Sequence, residues 1–177
     1  MEKKLWVAIC FMSVLIVFSV QAQETKQFVI KAQLWPYTSL CEFPDSENWP
    51  SLITYKAETS VTVSGCLDLE KTLGHPSAIR VTIINLGDSN VEVPIKGFNS
   101  ILLTKKDGKK IPAISWRHQQ RNPLGSGYSF NFVTKFSGEI VVIIEPQKSC
   151  DIIFLFPKAN AGELISIAGI ASVKIAE

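Results

Sequence analysis

The sequence predicts an all-β protein, an antiparallel sandwich or barrel of about nine or ten short strands. Three observations carry that expectation. From Phe28 onwards apolar and polar residues alternate with a period of two, helical periodicity is nearly absent, and turn residues interrupt the pattern at regular intervals. Composition agrees: 46% of the 177 residues are hydrophobic and 19% charged, with Gly 10 and Pro 9, which excludes disordered and collagen-like chains. Eighteen basic and 16 acidic side chains give a net charge of +2, so nothing points to nucleic acid.

The first segment stands apart from the strands. Residues 1–22 combine a basic start (Lys3, Lys4), an apolar run from Leu5 to Val20 broken only by Ser13 and Ser19, and the small-residue exit Val20-Gln21-Ala22. This is the build of a signal peptide cleaved after Ala22. As an anchor the run is short, because a spanning helix needs roughly 20 apolar residues and polar Gln21, Gln23 and Glu24 follow at once. Cys10 lies inside the run, which does not fit a lipoprotein exit. The basic leader and the lack of an Asn-x-Ser/Thr sequon lean towards a bacterial periplasmic or secreted protein.

The elements follow in order. Residues 23–50, rich in Trp, Pro and acids, read as an irregular N-terminal strap, with strand character near Phe28–Leu34 and a helical turn near Asp45–Trp49 as the one plausible helix. Residues 51–177 read as the sandwich domain. Leu52–Ala57 is strand-like; Val61, Val63, Leu67 and Leu69 then share a face against Thr62, Ser64, Asp68 and Glu70. Ile79, Val81 and Ile83 oppose Arg80 and Thr82, and Val91, Val93 and Ile95 oppose Glu92 and Lys96. Ile101–Thr104 and Lys110–Trp116 flank Asp107-Gly108, the strongest hairpin signal because both residues tolerate positive φ. Tyr128, Phe130, Phe132 and Phe136 share a face. Ile140–Ile144 and Ile152–Phe156 are apolar on both faces, as central strands of a covered sheet are. Ile165, Ile167, Ala171, Val173 and Ile175 line the last pair of strands. The expected core includes Ile83, Phe130, Phe132 and Ile153 or Phe154.

Half of the chain after residue 22 resembles a known layout. Val81-Thr82-Ile83-Ile84-Asn85-Leu86-Gly87-Asp88, the Asp107-Gly108-Lys109 hairpin, and Glu145-Pro146 through Phe154-Leu155-Phe156-Pro157-Lys158-Ala159 are similar to secreted bacterial immunoglobulin-like domains of unknown function, over about residues 78–159. The resemblance implies an immunoglobulin-like β-sandwich with an accessory or binding role, and it carries over no catalytic residues.

Candidate chemistry is sparse. Of Cys41, Cys66 and Cys150, strand phase turns Cys150 inward with Ile152, Phe154 and Phe156 and puts Cys66 on a polar face, so the expected disulfide is Cys41–Cys66, tying the strap to a sheet; three free thiols are the other reading. No Cys-x-x-Cys supports a zinc or redox site. Glu42, Asp45, Glu47 and Asn48 lack the spacing of a calcium loop, so no metal and no cofactor is expected. His75 and His118 have no sequence partner, and Gly125-Ser126-Gly127 is a turn and no nucleophile elbow. Lys105, Lys106, Lys109, Lys110, Arg117 and Arg121 form a candidate patch for an anionic glycan, lipid headgroup or acidic protein, set against the solubilising, edge-blocking role of edge lysines. Trp35, Tyr37, Trp49 and Trp116 form a candidate sugar-stacking surface, set against plain packing.

These readings give an exported, non-catalytic binding or scaffolding protein that contacts another exported protein or an envelope glycan, without stable membrane insertion once the leader is gone. A carbohydrate-binding module using the tryptophans is the alternative. A glycan-active hydrolase, needing two carboxylates brought together by folding, ranks below both.

Overall fold

The structure, a computed structural model, describes residues 28–41, 52–64, 66–121, 128–167 and 170–177; side-chain surroundings are described for these except at 41, 52–64, 66–67, 118–121, 128–131 and 136–137. The leader 1–22, Trp49 and the turn expected near Asp45–Trp49 lie outside the described residues. Among the described residues no helix is long and apolar enough to cross a membrane.

Eleven strands and one α-helix follow in the order β1 (Phe28–Trp35), β2 (Leu52–Ser64), α1 (Cys66–Leu73), β3 (Ser77–Asn85), β4 (Val91–Ile95), β5 (Ile101–Thr104), β6 (Lys110–Pro112), β7 (Ser115–Arg121), β8 (Tyr128–Ile144), β9 (Ser149–Phe156), β10 (Leu164–Ile167) and β11 (Ala171–Ala176). Short 3-10 helices cover Tyr37–Cys41 and Phe98–Ser100. Hydrogen bonding runs β2-β8-β7-β9-β3-β1-β11-β10-β5-β6, with β4 joined to β8. The protein is all-β, as the alternation requires.

Two strands carry the sheet round on itself to form the sandwich. β8 pairs with β2 along one edge; on its other edge Tyr128–Val133 pair with β7 and Ile140–Ile144 with β4. Between those halves Gly138 has φ 101°, a conformation that an L side chain resists. β11 pairs with β10 through Ala171–Lys174 and, in parallel, with β1 through Ala32↔Ile175 and Gln33↔Ala176. That parallel pair is the exception to the antiparallel expectation.

The main core lies between the layers and takes Ile79, Val81 and Ile83 of β3, Val93 of β4, Leu103 of β5, Ile140 and Val142 of β8, Cys150, Ile152, Phe154 and Phe156 of β9, and Ile165 of β10. β9 is buried on both faces from Cys150 to Phe156, as its unbroken apolar run implies. Its other face, with Ile153 and Leu155, enters a second cluster with Leu40, Leu69, Ala78 and Phe132. The 3-10 helix Tyr37–Cys41 and α1 supply Leu40 and Leu69, so these two elements roof the outside of the sheet.

One expectation is met here and one needs correction. Within the segment 23–50, Phe28–Trp35 are a strand paired along their full length with β3, where strand character was expected near Phe28–Leu34. Residues Cys66–Leu73 form α1 and do not extend the preceding strand. Leu69 and Leu73 sit four apart on one helical face, and Gly74 at φ 70° returns its N–H to the Glu70 carbonyl at 2.9 Å, a left-handed C-terminal cap. The alternation of Leu67 and Leu69 imitates a strand because a spacing of two is the strand period, whereas the helix pairs Leu69 with Leu73, four residues on. Cys66 therefore opens a helix, and strand phase does not apply to it.

The turns behave as their residues demand. Gly108 (φ 85°) closes the β5–β6 hairpin, with Lys105 N–H donating to Lys109 O at 2.8 Å and Asp107 Oδ1 accepting from Lys109 N–H at 2.9 Å. Buried Asn85 ends β3 by donating to the carbonyls of Ser89 (2.8 Å) and Ile144 (2.9 Å), which stitches the β3–β4 turn to the end of β8.

Candidate functional site

Where β1 runs into the 3-10 helix, the chain leaves the sheet and opens a cleft of about 300 Å³ lined by Leu34, Trp35, Tyr37, His75, Pro76, Ser77, Ala78 and Ala159. Four elements meet there: the end of β1, the 3-10 helix, the loop after α1 and the start of β3. Tyr37 meets His75 edge-to-face at 5.2 Å between ring centroids, and His75 Nε2 lies 3.1 Å from Glu70 Oε1. Burial raises the pKa of the Tyr37 hydroxyl, and the nearby Glu70 carboxylate raises it further.

Trp35 is held from behind. The Arg80 guanidinium stacks over its ring at 4.7 Å from the centroid, while Arg80 Nη2 donates to Asp151 Oδ2 at 2.9 Å and the Thr82 hydroxyl donates to Asp151 Oδ1. Asp151 is buried and charge-paired, so the network fixes the ring and leaves no net charge behind it. Trp35 Nε1 and the Tyr37 hydroxyl are enclosed donors that meet no acceptor among the described residues. Each such donor costs about 1–3 kcal/mol unless something accepts from it.

The sequence-derived sites fare unevenly. Trp35 and Tyr37 share the cleft. Trp116 is buried in the main core, opposite Phe154 of β9, and is not part of a stacking surface. Arg117 is likewise buried and donates through Nη1 to the Leu40 carbonyl at 3.1 Å, so it braces the 3-10 helix from inside the fold. Lys105 is inside a clamp: its Nζ lies 3.1 Å from both carboxylate oxygens of buried Glu163 and 2.8 Å from the Lys158 carbonyl. Lys106, Lys109 and Lys110 are exposed. The Arg121 side chain, and those of Cys41 and Cys66, lie outside the described residues. Cys150 is buried among the core apolar residues, and burial pushes its thiol pKa up strongly, with Asp151 adding to the effect.

Sequence reasoning missed His75, Arg80, Asp151 and Glu163. Asp151 breaks the polarity of an otherwise apolar strand, and that misplaced acid was the available signal. Glu163 gave none, since its partner is 58 residues away. Among the described residues no three His, Cys, Asp or Glu side chains come together to hold a metal ion.

No family model matches the chain, and no curated protein or solved structure matches it either. The fold and cleft define an all-β sandwich with one aromatic-walled depression and a clamped basic hairpin.

Proposed function

We propose that this is an exported, non-catalytic binding protein of the bacterial envelope that engages another protein by accepting a strand along β2. The supporting observation is the edge itself. Among the described residues β2 pairs with β8 alone, and at 13 residues it is the longest strand after β8. The other edges are blunted: β6 is three residues long and ends in Pro112, and β4 carries Pro94. Before the register shift after Ala57, Leu52–Ala57 pair with β8 in unbroken register, and the alternate amides and carbonyls on the far side of that run face no other described strand, the template that strand addition uses. The resemblance to secreted immunoglobulin-like domains supports the same role. Photo-crosslinking from Thr54 in the envelope fraction should give one discrete adduct, absent when the probe stands at Lys135. No adduct from any position between Leu52 and Ala57 refutes the reading.

The cleft favours a second reading, in which Trp35 and Tyr37 hold a sugar ring. Its apolar ring walls match a sugar's C–H face, and its balanced charge suits a neutral ligand. Saturation-transfer NMR with neutral monosaccharides should show ring-proton contacts that Tyr37→Ala removes; no transfer to any of them discards this reading.

A further inference from the structure

A further concentration of basic charge lies on the β5–β6 hairpin and the segments beside it. Lys106 and Lys174 meet at the turn at Gly162, Lys105 reaches the Lys158 carbonyl, and Lys109 and Lys110 follow on the same hairpin, with Asp107 and Glu163 as the acids of these segments. Six lysines against two acids leave +4 in a chain whose total is +2. Glu163 is consumed by Lys105, and Asp107 caps the hairpin backbone. Lys106 and Lys174 converge despite their like charge: a Cβ on Gly162 would stand 3.9 Å and 3.7 Å from their Cε atoms.

Register orders the rest. Lys174 on β11 faces Leu164 on β10, Leu164 faces Thr104 on β5, and Thr104 faces Lys110 on β6. Cross-strand partners share a face, so one row runs Lys-Leu-Thr-Lys over roughly 14 Å at the usual strand spacing. Their neighbours Ile165, Leu103 and Ile175 point into the core, so this row points outward. Leu164, at 42% exposure, is one of three large apolar side chains exposed among the described residues. Blocking of an exposed edge accounts for Lys110 alone. Lys174 sits on a strand paired on both sides, and Lys158 on a loop.

We propose that this face docks peripherally on an anionic lipid surface, with the lysines on headgroup phosphates and Leu164 seated at the headgroup boundary. Lysine ammoniums are point charges suited to a diffuse field of phosphates, whereas one fixed anion is better met by an arginine fork. An exposed leucine beside Lys174, in one outward row with Lys110, has a use on a bilayer and none on a soluble polyanion. The Lys105–Glu163 clamp holds the hairpin rigid, so little ordering is needed on contact.

The test is co-sedimentation of the full chain with phosphatidylcholine vesicles with and without phosphatidylglycerol. Lys3 and Lys4 of the leader also favour anionic headgroups, so the lysine face is read by the part of the phosphatidylglycerol dependence that the Lys106 and Lys174 variants remove. Phosphatidylglycerol-dependent binding is expected, weakened by salt, reduced at least about tenfold by Lys106→Glu/Lys174→Glu, and reduced less by Leu164→Ser. These positions are exposed, and Lys106→Gln/Lys174→Gln provides a milder pair should reversal disturb folding. No dependence on phosphatidylglycerol, or dependence unchanged in both double variants, overturns the proposal. Binding of soluble polyphosphate as tight as that to vesicles, with Leu164→Ser affecting neither, also overturns it by showing a surface that reads charge alone.

Discussion

Replacing Glu163 by alanine probes the clamp that fixes the basic hairpin. In the native protein both carboxylate oxygens accept from Lys105 Nζ at 3.1 Å, and Asn160 adds its backbone N–H and its side-chain amide, each at 3.0 Å. The Glu163 side chain is 4% exposed and that of Lys105 16%. Removing one member of a buried pair costs about 3–5 kcal/mol, because the other charge stays desolvated. Lys105 keeps the Lys158 carbonyl and some water, so the lower end applies, about 3 kcal/mol. For a chain of this size that corresponds to a fall in Tm of roughly 6–12 °C. The pH dependence follows in sign. Burial by itself raises the Glu163 pKa, but the hydrogen bonds from Asn160 and from Lys105 outweigh it and leave the pKa lowered. A lowered native pKa gives stability that is present above the unfolded carboxyl value and lost as pH falls through the native one. Melts of the native protein between neutral and acid pH should show this loss, and Glu163→Gln should show less of it. A cost below about 1 kcal/mol for Glu163→Ala, with Lys105→Met equally mild, refutes the clamp as a stabilising unit.

Three further outcomes are expected. Phe132→Ala should lose about 3–5 kcal/mol in denaturant unfolding, since the ring is fully buried where Leu40 and Leu69 roof the sheet; a change near zero removes it from that core. Cys150 should resist alkylation in the native protein and react only on unfolding, and labelling at the rate of a free thiol contradicts its burial. Intact mass of the protein recovered from the envelope fraction should find a chain starting at Gln23; retention of residues 1–22 defeats that expectation.

Much of the fold was legible because burial acts locally. The run Ile152–Phe156 announced a strand covered on both faces, and Asp107-Gly108 announced its hairpin, since each rests on neighbouring residues alone. The helix α1 was missed because Leu67 and Leu69 fit a period of two; Leu73 at the fourth position and Gly74 as cap were the contrary signs. Side-chain partnerships over long separations were invisible. Arg117 read as a free cation because nothing near it in sequence shows that the Leu40 carbonyl, 77 residues earlier, will receive it. Trp116 stood open between a stacking surface and core packing because period-two alternation does not say which face of β7 is covered.

The pairing of β1 with β11 bears on when the molecule acquires its structure. Ala32 lies beside Ile175, 143 positions further along, so the first and last described strands are neighbours. Contacts of such separation form slowly, because a long loop must close before they yield any gain. A chain emerging from the ribosome or threading an export channel cannot complete this closure until its final strand is free. Until then β10, β5 and β6 lack the strand that joins them through β11 to β1. Delay of that kind keeps this seam open until the whole chain is free to fold.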